Sequence, residues 1–234
     1  MHILSKIERE KLKKYLWCKD RAWEHEDNLW KKIQTYTPYL KIISWVQCVC
    51  ICNSLAMNSC HKNSDIDLFV ITRKNRLWTA RIWLTLLTSL LWIRKTSRKH
   101  AWKFCLSFYV TEDEKNFSDI AIDNDIYLSY WLETLIPIIN KNNTFEKFVE
   151  KNGLEEKYKK SVAKYVCISK SRWWEKCETW KLWDINEYIL KKIFLRKTLK
   201  NYKKLWKPFG VIISDTMLKF HDQDKRKKIR DAIL

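Results

Sequence analysis

The stretch "CNSLAMNSCHKNSDIDLFVIT", residues 52 to 72, sets two carboxylates, Asp65 and Asp67, one residue apart at the mouth of an apolar, β-branched run. On a strand, positions i and i+2 project from one face, and two like charges a few ångströms apart call for a cation. A hard divalent ion such as Mg²⁺ meets that need, because it takes oxygen ligands, usually one or two carboxylates together with substrate phosphates. Ser54, upstream of the pair, lies in a loop of small polar residues whose backbone N–H groups and hydroxyl suit phosphate oxygens. Loop and carboxylates together read as a grip on one metal-bound triphosphate.

Working outward, "KIISWVQCVCICNS" (41–54) is β-branched and apolar and predicts a first core strand with a turn at Asn53. "IDLFVIT" predicts a second strand, 75–94 a crossover helix, and "KFCLSFYV" (103–110) a third strand. The apolar part of that helix, 77–93, is at the short limit for a membrane span and carries Arg81 inside, so it reads as a core helix, and no stable membrane insertion is expected. Residues 3–34 predict two helices, with Pro38 breaking the pattern. After the third strand come an acidic loop, an apolar helix stopping at Pro137, and a mainly helical remainder. Within it, 188–207 holds eight Lys or Arg and no acid, with Leu190, Ile193 and Phe194 as its packing stripe. Three segments follow: an N-terminal helical piece (1–40), a central α+β unit (41–140) and a basic, mainly helical C-terminal region (141–234).

The quoted residues resemble the nucleotidyltransferase superfamily, which includes DNA polymerase beta, tRNA-nucleotidyltransferases and small antibiotic or antitoxin nucleotidyltransferases. Its mark is Gly-Ser, a short loop with a second Gly, and Asp-x-Asp opening a strand. Here Asn53-Ser54 stands for Gly-Ser, Asn58 for the second Gly, and Asp65-Ile66-Asp67 for the metal pair, at the family's spacing. Asn is the non-Gly residue that best tolerates the left-handed backbone region, so the turn survives the replacement. The likeness spans about 41 to 110, and the ending "GVIISDTMLKFHDQDKR" (210–226) also looks like bacterial members of the same superfamily.

The resemblance implies a small mixed sheet flanked by helices, Mg²⁺ as cofactor on Asp65 and Asp67, an NTP (ATP foremost) as substrate, and Asn53, Ser54, Asn58 and Ser64 as nucleotide-binding residues. It implies transfer of a nucleoside monophosphate to a hydroxyl on an RNA end, a protein or a small molecule. One departure stands out. Family enzymes carry a third carboxylate on the next strand, where this chain has Cys105 and Ser107; Glu112 and Asp113, just past the strand's end, are the candidate catalytic acids beside Asp65 and Asp67, reaching the site through a turn. The alternative is therefore an inactive module of the same fold that binds RNA or a partner protein.

The 234 residues are 46% hydrophobic, enough for a sizeable core, and the net charge of +19 favours anionic partners. From Asn143 onward there are 24 basic against 12 acidic residues, which places an RNA-binding surface, if the chain has one, in its C-terminal part. Eight cysteines occur without a C-x-x-C pair, and Cys48, Cys50 and Cys52 alternate along a core strand; with no signal peptide before them they read as reduced thiols of a cytoplasmic chain rather than zinc ligands. In "KFHDQDKR", His221, Asp222 and Asp224 stand together, but acids at a helix start complement the helix dipole. His61 reads as an exposed loop histidine, with a phosphate contact as the alternative, and Arg73 and Lys74 either approach a nucleotide or RNA backbone or end the second strand in water.

Trp numbers 14 and Gly 2, an inversion of ordinary usage. Trp also falls where Gly suits, as in "LLWIRK" and "LWKPFG". The pattern matches a gene in which the codon UGA specifies Gly and is written here as Trp; composition drift in an AT-rich genome, which the many Lys, Ile and Asn also fit, is the alternative.

Overall fold

A computed structural model of the chain describes residues 2–19, 24–96, 98–113, 116–154, 167–169, 181–204, 208, 210–221 and 224–234. Ser5 starts α1 (Lys6–Tyr15) with a reciprocal cap: its hydroxyl accepts from the Glu8 amide while the Glu8 carboxylate accepts from the Ser5 amide. Helix α2 (Glu24–Lys41) follows, and Pro38 lies inside its last turns instead of ending it. There the ring removes one amide donor, and the neighbouring Thr37 hydroxyl donates to the Ile33 carbonyl (2.7 Å).

The apolar run from Val46 forms β1 (Val46–Cys52), buried at all seven positions. A short helix, α3 (Asn53–Ala56), and a polar loop lead into β2 (Ile66–Thr72). The expected crossover helix is α4 (Leu77–Leu90), and β3 (Phe104–Thr111) lies parallel to β2. Leu77, Trp78, Ala80 and Leu84 of α4 pack on the sheet face formed by Ile66, Leu68, Val70 and Tyr109. Among the described residues no helix is long and apolar enough to cross a membrane.

Beyond Thr111 the structure departs from the sequence reading. The helix expected to run to Pro137 ends earlier, as α5 (Ile126–Glu133), and Pro137 sits inside a strand, β4 (Ile136–Lys141), antiparallel to β1. A register shift between Val49 and Cys50 lies beside Pro137, the kind of irregularity at which a strand accommodates proline. Helix α6 (Thr144–Lys151) and β5 (Cys167–Ser169) come next, then the basic α7 (Lys181–Lys204), β6 (Val211–Ile213), β7 (Met217–Phe220) and α8 (Arg226–Ile233). The seven strands form one sheet in the order β5-β4-β1-β2-β3-β7-β6. The chain is thus α+β with a mixed sheet, but the division near 140–144 does not separate two units, because β5, β6 and β7 of the C-terminal part extend the central sheet. On α7, Leu190, Phe194 and Leu195 pack toward the core and Ile193 faces out. Residues 205–207, the end of the expected basic stretch, lie outside the described residues.

The helix ends answer the glycine question in part. Gly153 closes α6 at φ 67°, its amide donating to Glu150 O (3.0 Å) and that of Leu154 to Val149 O (3.1 Å). This pair of bonds is the common left-handed helix stop that favours glycine. Trp92 closes α4 in the same way at φ 56°, with bonds from Trp92 to Ser89 and from Ile93 to Thr88 (both 3.0 Å). Trp17 closes α1 likewise at φ 57°, and Trp102 adopts φ 62° just before β3. Every other non-glycine residue described at positive φ is Asn. Trp206 of "LWKPFG" lies outside the described residues.

Candidate functional site

The sheet itself assembles the site. Antiparallel pairing of β1 with β2 sets Cys52 opposite Asp67, and parallel pairing of β2 with β3 sets Asp67 opposite Cys105. A row Cys52–Asp67–Cys105 therefore crosses three adjacent strands at one end of the sheet. Strand alternation brings Asp65 to the same face as Asp67, and one ligand atom each from Asp65, Asp67 and Cys105 lies within 4.8 Å of the others.

A basic side chain meets this cluster. The chain leaving α4 runs beside the start of β3, with an isolated bridge between Arg94 and Phe104 and the Lys95 amide donating to Phe104 O (2.9 Å). That placement delivers the Lys95 ammonium to 2.5 Å from Asp65 Oδ2. Burial pulls the Lys95 pKa down, but its bond to Asp65 and the nearby Cys105 and Asp67 outweigh it, so the group stays above its ordinary value. Burial pushes the Asp67 carboxyl up to about 6, the Asp65 charge adds to the push, and hydrogen bonds from Asn53 and Cys105 oppose it. Burial and the Asp67 charge together push the Cys105 thiol up to about 12.

The loop above the carboxylates is built on two left-handed asparagines, Asn53 at φ 56° and Asn58 at φ 53°. Asn53 Oδ1 accepts from Trp131 Nε1 (2.8 Å), and Asn53 Nδ2 lies 3.5 Å from His221 Nε2. The Ser54 carbonyl accepts the Ser59 amide (2.8 Å), and the Cys60 thiol reaches the Ser54 hydroxyl (3.6 Å). Ser64 is buried: its hydroxyl accepts from the His61 amide (3.0 Å) and pairs with His61 Nδ1, so His61 is the exposed loop histidine expected and also fastens the loop. Ser64 thus shapes the turn into Asp65. Asn53, Asp65 and Asp67 gather at one place; Ser54 follows Asn53 with its polar atoms bonded to Ser59 and Cys60, and the Asn58 carbonyl accepts the Lys19 amide (2.9 Å).

Glu112 and Asp113 do not join them. In the parallel register Thr111 lies beside Thr72, five residues beyond Asp67, or roughly 17 Å at the rise of a strand. Both acids meet Lys74 there: its amide donates to Glu112 Oε1 (3.2 Å), and its ammonium is 3.5 Å from Asp113 Oδ2. Lys74 is therefore paired with acids at the far end of the strands. A cleft of about 210 Å³ at that end is lined by Thr111, Glu112, Asn142, Thr144, Lys147 and Lys151 and lies away from the aspartates.

Two residues the sequence reading undervalued arrive from the chain's end. Strand β7 pairs with β3, Lys219 opposite Phe108, which carries His221 to within 3.4 Å of Ser107 Oγ and brings the Lys219 ammonium 6.0 Å from the Phe108 ring. Burial, with Arg226 nearby, lowers the Lys219 pKa. Lys219 and His221 stand at i and i+2, a strand signal, but the acids that follow made the segment read as the start of a helix. Asp224 is a structural partner: it receives Arg226 Nε (3.0 Å) and Nη2 (2.7 Å), while Arg226 Nη1 reaches the buried Asp125 (3.0 Å). Asp222 lies outside the described residues.

Comparison with known proteins finds no family model, no curated protein and no solved structure that matches the chain.

Proposed function

We propose that the chain is a nucleotidyltransferase-like protein that binds a metal-bound NTP at its Asn53-Ser54 loop and Asp65-Asp67 pair and transfers the nucleoside monophosphate to a hydroxyl acceptor. The observation that carries this reading is the meeting of Asp65, Asp67 and Cys105 within 4.8 Å beside the left-handed Asn53 turn. Two carboxylates suit a divalent ion whose remaining positions go to phosphate oxygens and water. When bound, Mg²⁺ or a similar ion offsets the charge of the phosphates and of the developing transition state.

The chain's own residues have distinct tasks in this reading. Asp65 and Asp67 hold the ion, and the Asn53-Ser54 loop cradles phosphate oxygens. His221, at the site's edge beside Ser107 and Asn53, is the base available for the acceptor's proton. The acceptor oxygen bonds to the α-phosphorus, the bond from that phosphorus to the bridging oxygen breaks, and pyrophosphate leaves with the electron pair. The basic C-terminal part tilts the acceptor toward RNA: α7 presents Lys191, Lys192, Arg196, Lys197 and Lys200 along one helix.

A second reading rests on Cys105 and Ser107, which stand where the family places its third acid: a fold kept for binding RNA or a partner protein without catalysis. One experiment separates the two. Purified protein is incubated with Mg²⁺ or Mn²⁺, each labelled NTP and total RNA, and labelled macromolecule and pyrophosphate are followed for wild type, Asp65→Ala and Asp67→Ala. The first reading expects label in wild type and a loss of roughly 10²–10³-fold or more in either variant. Absence of label with RNA retention unchanged by Asp67→Ala would establish the second.

A further inference from the structure

We propose that this metal site is a mixed carboxylate–thiolate site that takes a thiophilic divalent transition ion, of the Zn²⁺ or Co²⁺ kind, with Cys105 Sγ as a direct ligand beside Asp65 and Asp67. The inference rests on the nucleotidyltransferase reading for the site's use but not for its metal chemistry. Carboxylate oxygens alone suit Mg²⁺, Ca²⁺ and Mn²⁺, whereas thiolate ligands select softer ions. Here the register of β2 and β3 places a thiol, not a third carboxylate, across from Asp67, and its sulfur lies within 4.8 Å of a carboxylate oxygen of each acid.

A second, independent feature points to a cation at this spot. Asp65 Oδ2 is buried and already draws a cation to this spot, the Lys95 ammonium at 2.5 Å. Lys95 is part-exposed on a segment outside the strands, so its ammonium is a tethered stand-in that can withdraw to solvent when an ion enters. Cys52, opposite Asp67 on β1, points its thiol to the Asp67 carbonyl (3.5 Å) and lies outside the three-ligand group. On metal binding the Cys105 S–H bond breaks, its proton passes to solvent and the S–metal bond forms; no change of oxidation state is involved.

Co²⁺ is the probe, because a cobalt–thiolate bond produces a charge-transfer absorption in the near ultraviolet that oxygen ligands do not. Reduced, EDTA-stripped full-length protein is titrated with Co²⁺ and separately with Mg²⁺, as wild type, Cys105→Ser and Cys105→Asp, with thermal melts confirming that each variant is folded. The expected result is a one-to-one complex with the charge-transfer band in wild type. Cys105→Ser should lose the band and weaken Co²⁺ binding by at least about 10-fold, the scale on which even outer-shell changes act. Cys105→Asp should lose the band while improving Mg²⁺ binding. A band that persists in Cys105→Ser, or Co²⁺ bound by wild type without a band, overturns the inference while leaving a carboxylate metal site in place. Failure of wild type and Cys105→Asp to bind either ion overturns the inference and the proposed function together.

Discussion

The two ends of the β2–β3 pair hold the same residue types in opposite circumstances. At the start of β2, Asp65 and Asp67 face a thiol and one ammonium in a partly buried row, and the Asp67 carboxyl is pushed up to about 6. At the other end Glu112 and Asp113 meet Lys74 near water, and Asp113, although burial alone would raise it, is held below its ordinary range by hydrogen bonds from Thr111 and its own backbone and by Lys74. Acids that end a strand in water find a counter-ion and cost nothing, while acids packed side by side under a loop carry an unfavourable charge that a bound cation would offset. Backbone cost gathers at the first end too. Trp92 and Trp102 flank the segment that carries Lys95, and Trp17 lies close in the chain to Lys19, whose amide bonds Asn58 of the site loop.

The sharpest test of this contrast is the pH dependence of stability without metal. The folded-state pKa of Asp67 is raised, so the folded chain binds more protons than the unfolded one between about pH 4 and 6, and stability is lost as pH rises through that window. Asp67→Asn is expected to be more stable than wild type at pH 8 in EDTA by roughly 1–3 kcal/mol, with the difference gone near pH 4, as read by urea denaturation. A difference that stays constant with pH would remove the charge from the explanation.

The backbone cost is the next largest. A left-handed residue with a Cβ costs about 1–2 kcal/mol, so Trp92→Gly, where the side chain is exposed, is expected to raise stability by about 1 kcal/mol, and Trp102→Gly by less, because it also loses the Trp102 Nε1 bond to Lys62 O. Mass spectrometry of peptides from the protein made in its own cells checks the related expectation that Gly stands at 17, 92 and 102; Trp at all three removes it. The smallest effects belong to the far end. Glu112→Gln is expected to change stability by less than about 0.5 kcal/mol, because exposed charges contribute little, and neither it nor Asp113→Asn is expected to change Co²⁺ binding. A large loss of metal binding in either would erase the contrast between the ends.

Much of the site was legible along the chain because its signals are local. Asp65 and Asp67 share a face by strand alternation alone, and Asn at 53 and 58 announces left-handed turns by its own conformational preference. The strands of the central unit showed through β-branched apolar runs of the right length. Pro137 misled because its ring stops a helix but is tolerated beside a sheet irregularity, a property of the partner strand β1 that no local pattern carries. The segment 210–221 misled for a similar reason: its strands are short, and their partner β3 lies about a hundred residues upstream.

The sequence by itself determined the carboxylate pair, the loop with its left-handed asparagines, the strand–helix–strand order and the basic charge, since each follows from spacing or composition within a few residues. Only the tertiary structure decided that Cys105 stands across from Asp67, that Lys95 reaches Asp65, that His221 arrives beside Ser107, and that Glu112 and Asp113 stay away. Three of those outcomes depend on the register of β3 against β2 and of β7 against β3, and the Lys95 contact on the bridge between Arg94 and Phe104; register is set by how whole strands bury their faces against one another, which no single stretch of the chain specifies.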